Sequence, residues 1–306
     1  MKMKAFIKLS FLAVVLACPS ALSLVMAQCG DTSKAIKAEV FIENRPPADH
    51  ASRRVAAVSK KPSYKTSQAV SLGGPPAGKV YAQVGLTIWR FRPATAADKT
   101  KELVEEEDAP PTQWSLERVS EGTLLAPGQK VRLGIESLSR DGYLYVIDRE
   151  QYADGSFGDA RLIFPSQRTP EGGNRVKAGK IVYVPAAPRY FRIKPSQTSK
   201  AHVAEMLTVL VSTKPLFEAS QLTSSPLIID PAQLSTWEKQ WAAKPTVFEM
   251  EGGAGQVMTE KEQAAGVGNA ELTQAEPLPQ TIYRVAIKPD DTLFFAVPLR
   301  FTPPKP

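Results

Sequence analysis

The chain is short of the two side chains that most often carry enzyme chemistry: its 306 residues hold two cysteines and two histidines. Cys18 lies inside what reads as a cleavable leader. Cys29 is then the one cysteine left, so no internal disulfide holds the fold and packing must do so. Cys29 reads as an incidental exposed thiol, with pairing between chains as the alternative. A Ser-His-Asp site would have to use His202, because His50 falls in a stretch without periodicity, and there is no G-x-S-x-G elbow. There is no H-E-x-x-H. His202 and Glu205, if on one helical turn, offer two ligands where zinc needs three or four. The run GGPPAGK ending at Lys79 lacks the spacing and the hydroxyl residue of a phosphate loop. Beyond the leader no apolar run approaches the roughly 20 residues of a membrane span, and there is no internal repeat or heptad array.

What is present begins with an export signal over residues 1–27. Lys2, Lys4 and Lys8 precede an apolar run at 9–17, and Val25-Met26-Ala27 suits cleavage after Ala27. Two alternatives stand beside it: a lipobox at residues 15–18 with Cys18 lipid-anchored, and an uncleaved anchor helix, which Pro19 interrupts. Residues 28–79 carry nine basic and four acidic side chains and almost no apolar clusters beyond Val40-Phe41-Ile42. Such a stretch buries too little to offset its ordering entropy and reads as a disordered basic arm. Of the formal charge of +7, three belong to the leader and five to the arm, which leaves residues 80–306 at −1. A basic nucleic-acid-binding domain is therefore not indicated.

From Val80 onward the pattern is that of strands. Val84, Leu86 and Ile88 alternate with Trp89 and Phe91 on the other face, so this strand is expected to be covered on both sides. The acidic, Pro-containing stretch 98–112 reads as a solvated loop. In the next strand Val131, Leu133 and Ile135 point one way, Arg132 and Glu136 the other. Asp141-Gly142 is a hairpin signal leading to a central strand at 143–147. Further strands are expected at 162–164, 181–184, 190–193, 206–211, 281–287 and 293–301. The last two would be a hairpin over Lys288-Pro-Asp-Asp291. Two helices stand out. Asp230-Pro231 caps one whose apolar stripe is Leu234, Trp237 and Trp241, and Thr259 with Glu262 makes a capping box for another that Gly266 ends. The expected fold is mainly β, an antiparallel β-sandwich of generally immunoglobulin-like architecture over 80–306, with a small helical insertion at about 230–266 packed on an edge or open face.

The loop after Val146 gathers the most chemistry. Asp148, Glu150, Asp154 and Asp159 are weak candidates for a calcium site, since a hard cation wants several carboxylate oxygens. The EF-hand pattern fails there: with Asp154-Gly155 at positions five and six, Tyr152 falls at three and Arg161 at twelve. The plainer reading is a long hairpin loop in which Arg149 and Arg161 balance the acids, leaving Tyr152, Asp154, Phe157 and Asp159 as a partner-recognition surface.

The run from Gly142 to Gly155, then Gly158-Asp159, Leu162-Ile163-Phe164-Pro165 and Gly173-Asn-Arg-Val-Lys-Ala-Gly179, resembles a bacterial family catalogued only as domain of unknown function 4384. Val131-Arg-Leu-Gly-Ile-Glu-Ser137 and Leu278-Pro-Gln-Thr-Ile-Tyr-Arg-Val285 are also similar. The likeness is densest over 131–211, and the leader and arm lie outside it. It implies a bacterial, exported, β-rich interaction domain and transfers no catalytic residue. Together these readings point to a non-enzymatic binding module of the cell envelope, periplasmic or at the surface, with no cofactor. Its partner would be another envelope protein or a cell-wall component. The rivals are an envelope hydrolase and a calcium-dependent adhesion domain, both using the acidic loop at 148–159.

Overall fold

The computed structural model describes residues 36–37, 41–47, 63–66, 74–106, 109–169, 173–194, 201–223, 225–268 and 271–302. The expected leader, Cys18 and Cys29 lie outside them. In chain order the first strands are β1 (Ile36–Lys37), β2 (Ser63–Lys65), β3 (Val80–Pro93), β4 (Glu102–Glu106), β5 (Ala109–Val119) and β6 (Lys130–Ser137). Then come β7 (Gly142–Tyr152), β8 (Arg161–Phe164), β9 (Arg175–Val176), β10 (Ile181–Val184), β11 (Phe191–Arg192) and β12 (His202–Ser212). The rest are β13 (Leu227–Ile228), helix α1 (Pro231–Trp241), β14 (Thr246–Met250), helix α2 (Glu260–Gly266), β15 (Thr281–Ile287) and β16 (Leu293–Arg300). No helix among the described residues is long and apolar enough to cross a membrane.

The strands make the expected antiparallel sandwich. In the larger sheet β3 is the spine: β6 pairs along one edge, while β15 and β5 follow each other along the opposite edge. β6 goes on to pair β10 and β11, and β15 goes on through β14 to β2 and β1. The smaller sheet runs β13-β8-β7-β12-β16. Between the sheets lies the core: Val84, Leu86 and Ile88 of β3 and Leu133 and Ile135 of β6 face Leu144 and Val146 of β7, Leu207 and Val209 of β12 and Phe295 of β16. Each fully buried side chain of this kind contributes about 1.5–3 kcal/mol.

Both outer faces are covered as well. Leu234 and Trp237 of α1 pack on Tyr145, Ile147, Leu210 and Phe294 of the smaller sheet. Asp230 caps the helix through the Ala232 N–H, and Trp237 stacks on Trp241 at 6.0 Å. On the larger sheet Trp89 and Phe91 lie under Met258 and Tyr183, so β3 is indeed covered on both sides. Gly266 of α2 sits against the Tyr183 ring, where a Cβ would come within 2.0 Å of ring carbons; close approach, beyond helix termination, is what glycine supplies there.

Four expectations change. The domain begins before Val80, because Phe41, Ile42 and Tyr64 are buried with Phe248, Met250 and Ile282, and Arg45 is buried beside them. Phe41 and Ile42 are thus a docking point for the described part of the arm. The stretch 98–112 is largely the β4–β5 hairpin, held by buried Glu102; Pro110 and Pro111 fall where β5 pairs β4 alone, so no second neighbour needs their missing N–H. Neither Asp141-Gly142 nor Lys288-Pro289 makes a hairpin, since β6 and β7, like β15 and β16, belong to different sheets. The turns carry the chain across the core, where Tyr283 of β15 stacks on Phe295 of β16 at 4.7 Å. The segment at 230–266 is not one insertion: α1 covers one sheet, α2 the other, and β14 between them is a strand of the larger sheet.

Candidate functional site

β7 runs five residues past the strand expected at 143–147. Strand alternation then decides where each acid goes. Leu144 and Val146 face the core, so Asp148, Glu150 and Tyr152 continue the same inward row. The chain turns at 153–155, with Gly155 at φ +81° donating its N–H to the Tyr152 carbonyl. It returns in register, the Gly158 N–H bonding the Glu150 carbonyl at 2.9 Å. What reads as a loop at 148–159 is therefore an extended hairpin leading into β8.

This geometry divides the candidate residues. Asp154 and Asp159 are exposed. Asp154 accepts from the Ser156 N–H at 2.8 Å and from the Ser156 hydroxyl, and Asp159 lies 3.9 Å from Arg161. Asp148 and Glu150 turn inward. The four carboxylates do not gather around one point, and among the described residues no set of three His, Cys, Asp or Glu is placed to hold a metal ion. The calcium expectation fails on the alternation that sends the acids to two places. Tyr152 also departs from expectation: it is 7% exposed, and its hydroxyl donates to the Glu150 carboxylate. Phe157 is 43% exposed, as a recognition residue would be. The Arg149 guanidinium backs its ring at 4.4 Å and bonds Glu238 of α1 at 3.0 Å.

The residue missed in the sequence is the role of Glu205. In the pairing of β7 with β12, Glu150 lies opposite Glu205 and Asp148 opposite Leu207, which places Asp148 and Glu205 diagonally on one face. A register shift between His202 and Ala204 brings His202 beside Glu205, at 3.6 Å; it is a bulged strand and not a helical turn that joins them. The His202 Nε2–H donates to the Ala204 carbonyl at 3.0 Å, and the ring packs edge-on to Phe301. The legible signal was in the rows themselves. Val211, Val209 and Leu207 lead to Glu205, just as Leu144 and Val146 lead to Asp148 and Glu150.

Asp148 Oδ1 and Glu205 Oε2 are buried with no N–H or hydroxyl donor in reach. The register sets the two carboxyls as neighbours that can share a hydrogen bond, Glu205 as the acid and Asp148 as the acceptor. Two carboxyl groups can share a hydrogen bond only if one is protonated. Burial, followed by the charges of Asp148 and Glu150, pushes Glu205 up to about 9. Burial likewise raises Asp148 to about 6, with the Glu150 charge adding to it and the Glu205 hydrogen bond opposing it. Arg161, half exposed, offsets part of the negative charge at both. Both carboxyls are thus pushed toward the protonated form, Glu205 further than Asp148.

A groove of about 560 Å³ lies elsewhere, lined by residues 97–100, 257–261 and 275–277. Two of its carboxylates are matched within the protein, Asp98 by Arg92 at 2.6 Å and Glu276 by Lys261 at 2.7 Å. It contains none of the residues of the carboxyl cluster. No protein-family model, curated protein or solved structure matches the chain.

Proposed function

We propose that the chain is an exported, non-enzymatic binding module of the bacterial cell envelope that presents the tip of the β7–β8 hairpin to an envelope protein or a cell-wall component. The observation that carries this reading is Phe157, an aromatic ring held outward on a pinned turn and stiffened from behind by Arg149, itself tied to α1. A rigid exposed aromatic loses little entropy on binding, which is how recognition hot spots work. Asp154 and Asp159 flank it as exposed charges that select a partner of complementary sign. The immobilised protein and its Phe157→Ala and Asp159→Ala variants, exposed to bacterial envelope extract, test this. A specific partner captured by the parent and lost by Phe157→Ala is expected. Equal capture by all three, or no capture alongside hydrolytic turnover, overturns the reading.

A second reading, an envelope hydrolase working by acid–base catalysis, is favoured by one observation: the Asp148–Glu205 pair, a raised acid against a partner carboxylate. It moves the candidate residues inward from Asp154 and Asp159. Turnover of a cell-wall substrate abolished by Glu205→Gln, with folding intact, would replace the first reading by this one.

A further inference from the structure

We propose that Asp148 and Glu205 share a proton and that the hydrogen bond it makes is a latch: with the proton, it fastens the outer ends of β7 and β12; without it, they loosen together with the β7–β8 hairpin. The placement argues for it. The two carboxyls face each other from neighbouring strands at the end of the inward row, where the apolar core gives way to polar side chains. The groups facing them are Glu150 and Tyr152 from β7, His202 from β12 and Arg161 from β8. Arg149 points to the other face, toward Glu238, and Arg300 of β16, opposite Ala204, is exposed.

With the proton present, the cluster holds one neutral acid and two carboxylates against one half-exposed guanidinium. Without it, three carboxylates crowd the same space, and the buried Asp148 Oδ1 and Glu205 Oε2 oxygens have no other donor. His202 Nε2 stands 3.6 Å from Glu205 and 3.0 Å from the Ala204 carbonyl. The β7–β12 pairing also breaks register at this end, between His202 and Ala204. The Val209–Val146 and Leu210–Tyr145 pairs further along are buried in regular register and form the fixed end of the latch.

The sign follows from linkage. An acid held above its ordinary range in the closed form favours closure at low pH and loses that advantage as pH rises toward the raised value. The local opening constant should therefore climb about tenfold per pH unit over that interval and level off above it. Hydrogen exchange of the full chain between pH 5 and 9, corrected for intrinsic exchange rates, reads this directly. Amides of residues 150, 152, 155 and 158 should lose protection with pH, while those of 145–147 and 208–210 keep theirs. Glu205→Gln, which donates a hydrogen to Asp148 at every pH, should abolish the trend.

Infrared spectroscopy of the wild-type chain at neutral pH supplies a readout that needs no variant to fold: a buried protonated-carboxyl band is expected. Protection at both ends that changes in parallel, a trend that survives Glu205→Gln, or no protonated-carboxyl band at neutral pH would each overturn the latch. Asp148→Asn provides the check if Glu205→Gln does not fold, and it too should flatten the trend.

Discussion

On the outer face of the larger sheet, three buried arginines each hold a buried carboxylate; where the inner face of the smaller sheet runs out, buried carboxyls meet no buried arginine or lysine among the described residues. Arg132 of β6 grips Glu102 of β4 at 2.8 and 2.9 Å and donates to the Arg189 carbonyl. Arg118 of β5 holds Glu262 of α2. Arg45 grips Glu136 at 2.6 Å and three carbonyls, of Thr273, Glu276 and Pro277, at 3.2–3.3 Å. Each pair ties the sheet to something laid over it: a hairpin, a helix, the N-terminal segment. Their lone pairs and protons are well used, the condition under which a buried pair is tolerated. In the proposed latch a proton takes the place of a counter-ion at Asp148 and Glu205. The difference separates charges that fasten from a charge that responds to the medium.

The largest test breaks one fastener. Arg132→Leu leaves Glu102 buried and alone, which should cost about 3–5 kcal/mol in chemical denaturation. Arg132→Leu with Glu102→Leu should recover most of that loss, because two apolar groups of fair fit often replace a buried pair at little cost. A double variant as unstable as the single one would mean that shape and not charge pairing fixes this site.

The next test concerns the responsive site. Glu205 has its folded pKa raised, so the stability that it contributes is complete below the ordinary carboxyl range and is lost as pH rises toward about 9. Thermal unfolding should therefore show a Tm lower at pH 9 than at pH 6, by roughly 5 °C for a domain of this size. Glu205→Gln should remove most of that difference and be the more stable protein at pH 9. A Tm that rises between pH 6 and pH 9 in the parent chain would reverse the sign and end the comparison.

The two regions were also unequally legible. The inward rows of β3 and β6, the caps of α1 and α2, and the double burial of β3 could be read from alternation and capping residues, because local sequence carries those signals. Arg132 and Glu136 could be assigned to the face opposite the core, but not their burial. Nothing in the local pattern says that β4 and Arg45 will lie over them. The two turns taken for hairpins show the same limit. Asp-Gly specifies a tight reversal, and whether the next strand joins the same sheet depends on partners far along the chain. Glu205 escaped for a related reason: its meaning lies in a register with β7 more than fifty residues away.

A smaller effect sharpens how the proton is held. The Glu150 charge raises both Asp148 and Glu205, so Glu150→Gln should lower the pH at which the latch opens and reduce the total loss of stability at alkaline pH. The variant also changes the Tyr152 hydrogen bond, for which Gln retains an acceptor oxygen. Hydrogen exchange at residues 150 and 158 measures the shift. A midpoint unchanged in Glu150→Gln would assign the raised Glu205 to burial and the Asp148 charge, without Glu150.

The smallest expected effect on stability falls on the residue with the largest proposed role. Phe157 is 43% exposed, and its buried area rests chiefly on the Arg149 guanidinium, a cation–π contact worth about 0.5–1 kcal/mol at such a site. Phe157→Ala should thus lower stability by no more than about 1 kcal/mol while removing the aromatic anchor for a partner. On the proposed reading the ring is kept for contact with a partner. If Phe157→Ala instead costs several kcal/mol, the ring belongs to the packing of α1 on the smaller sheet, and the hairpin tip loses its standing as a recognition surface.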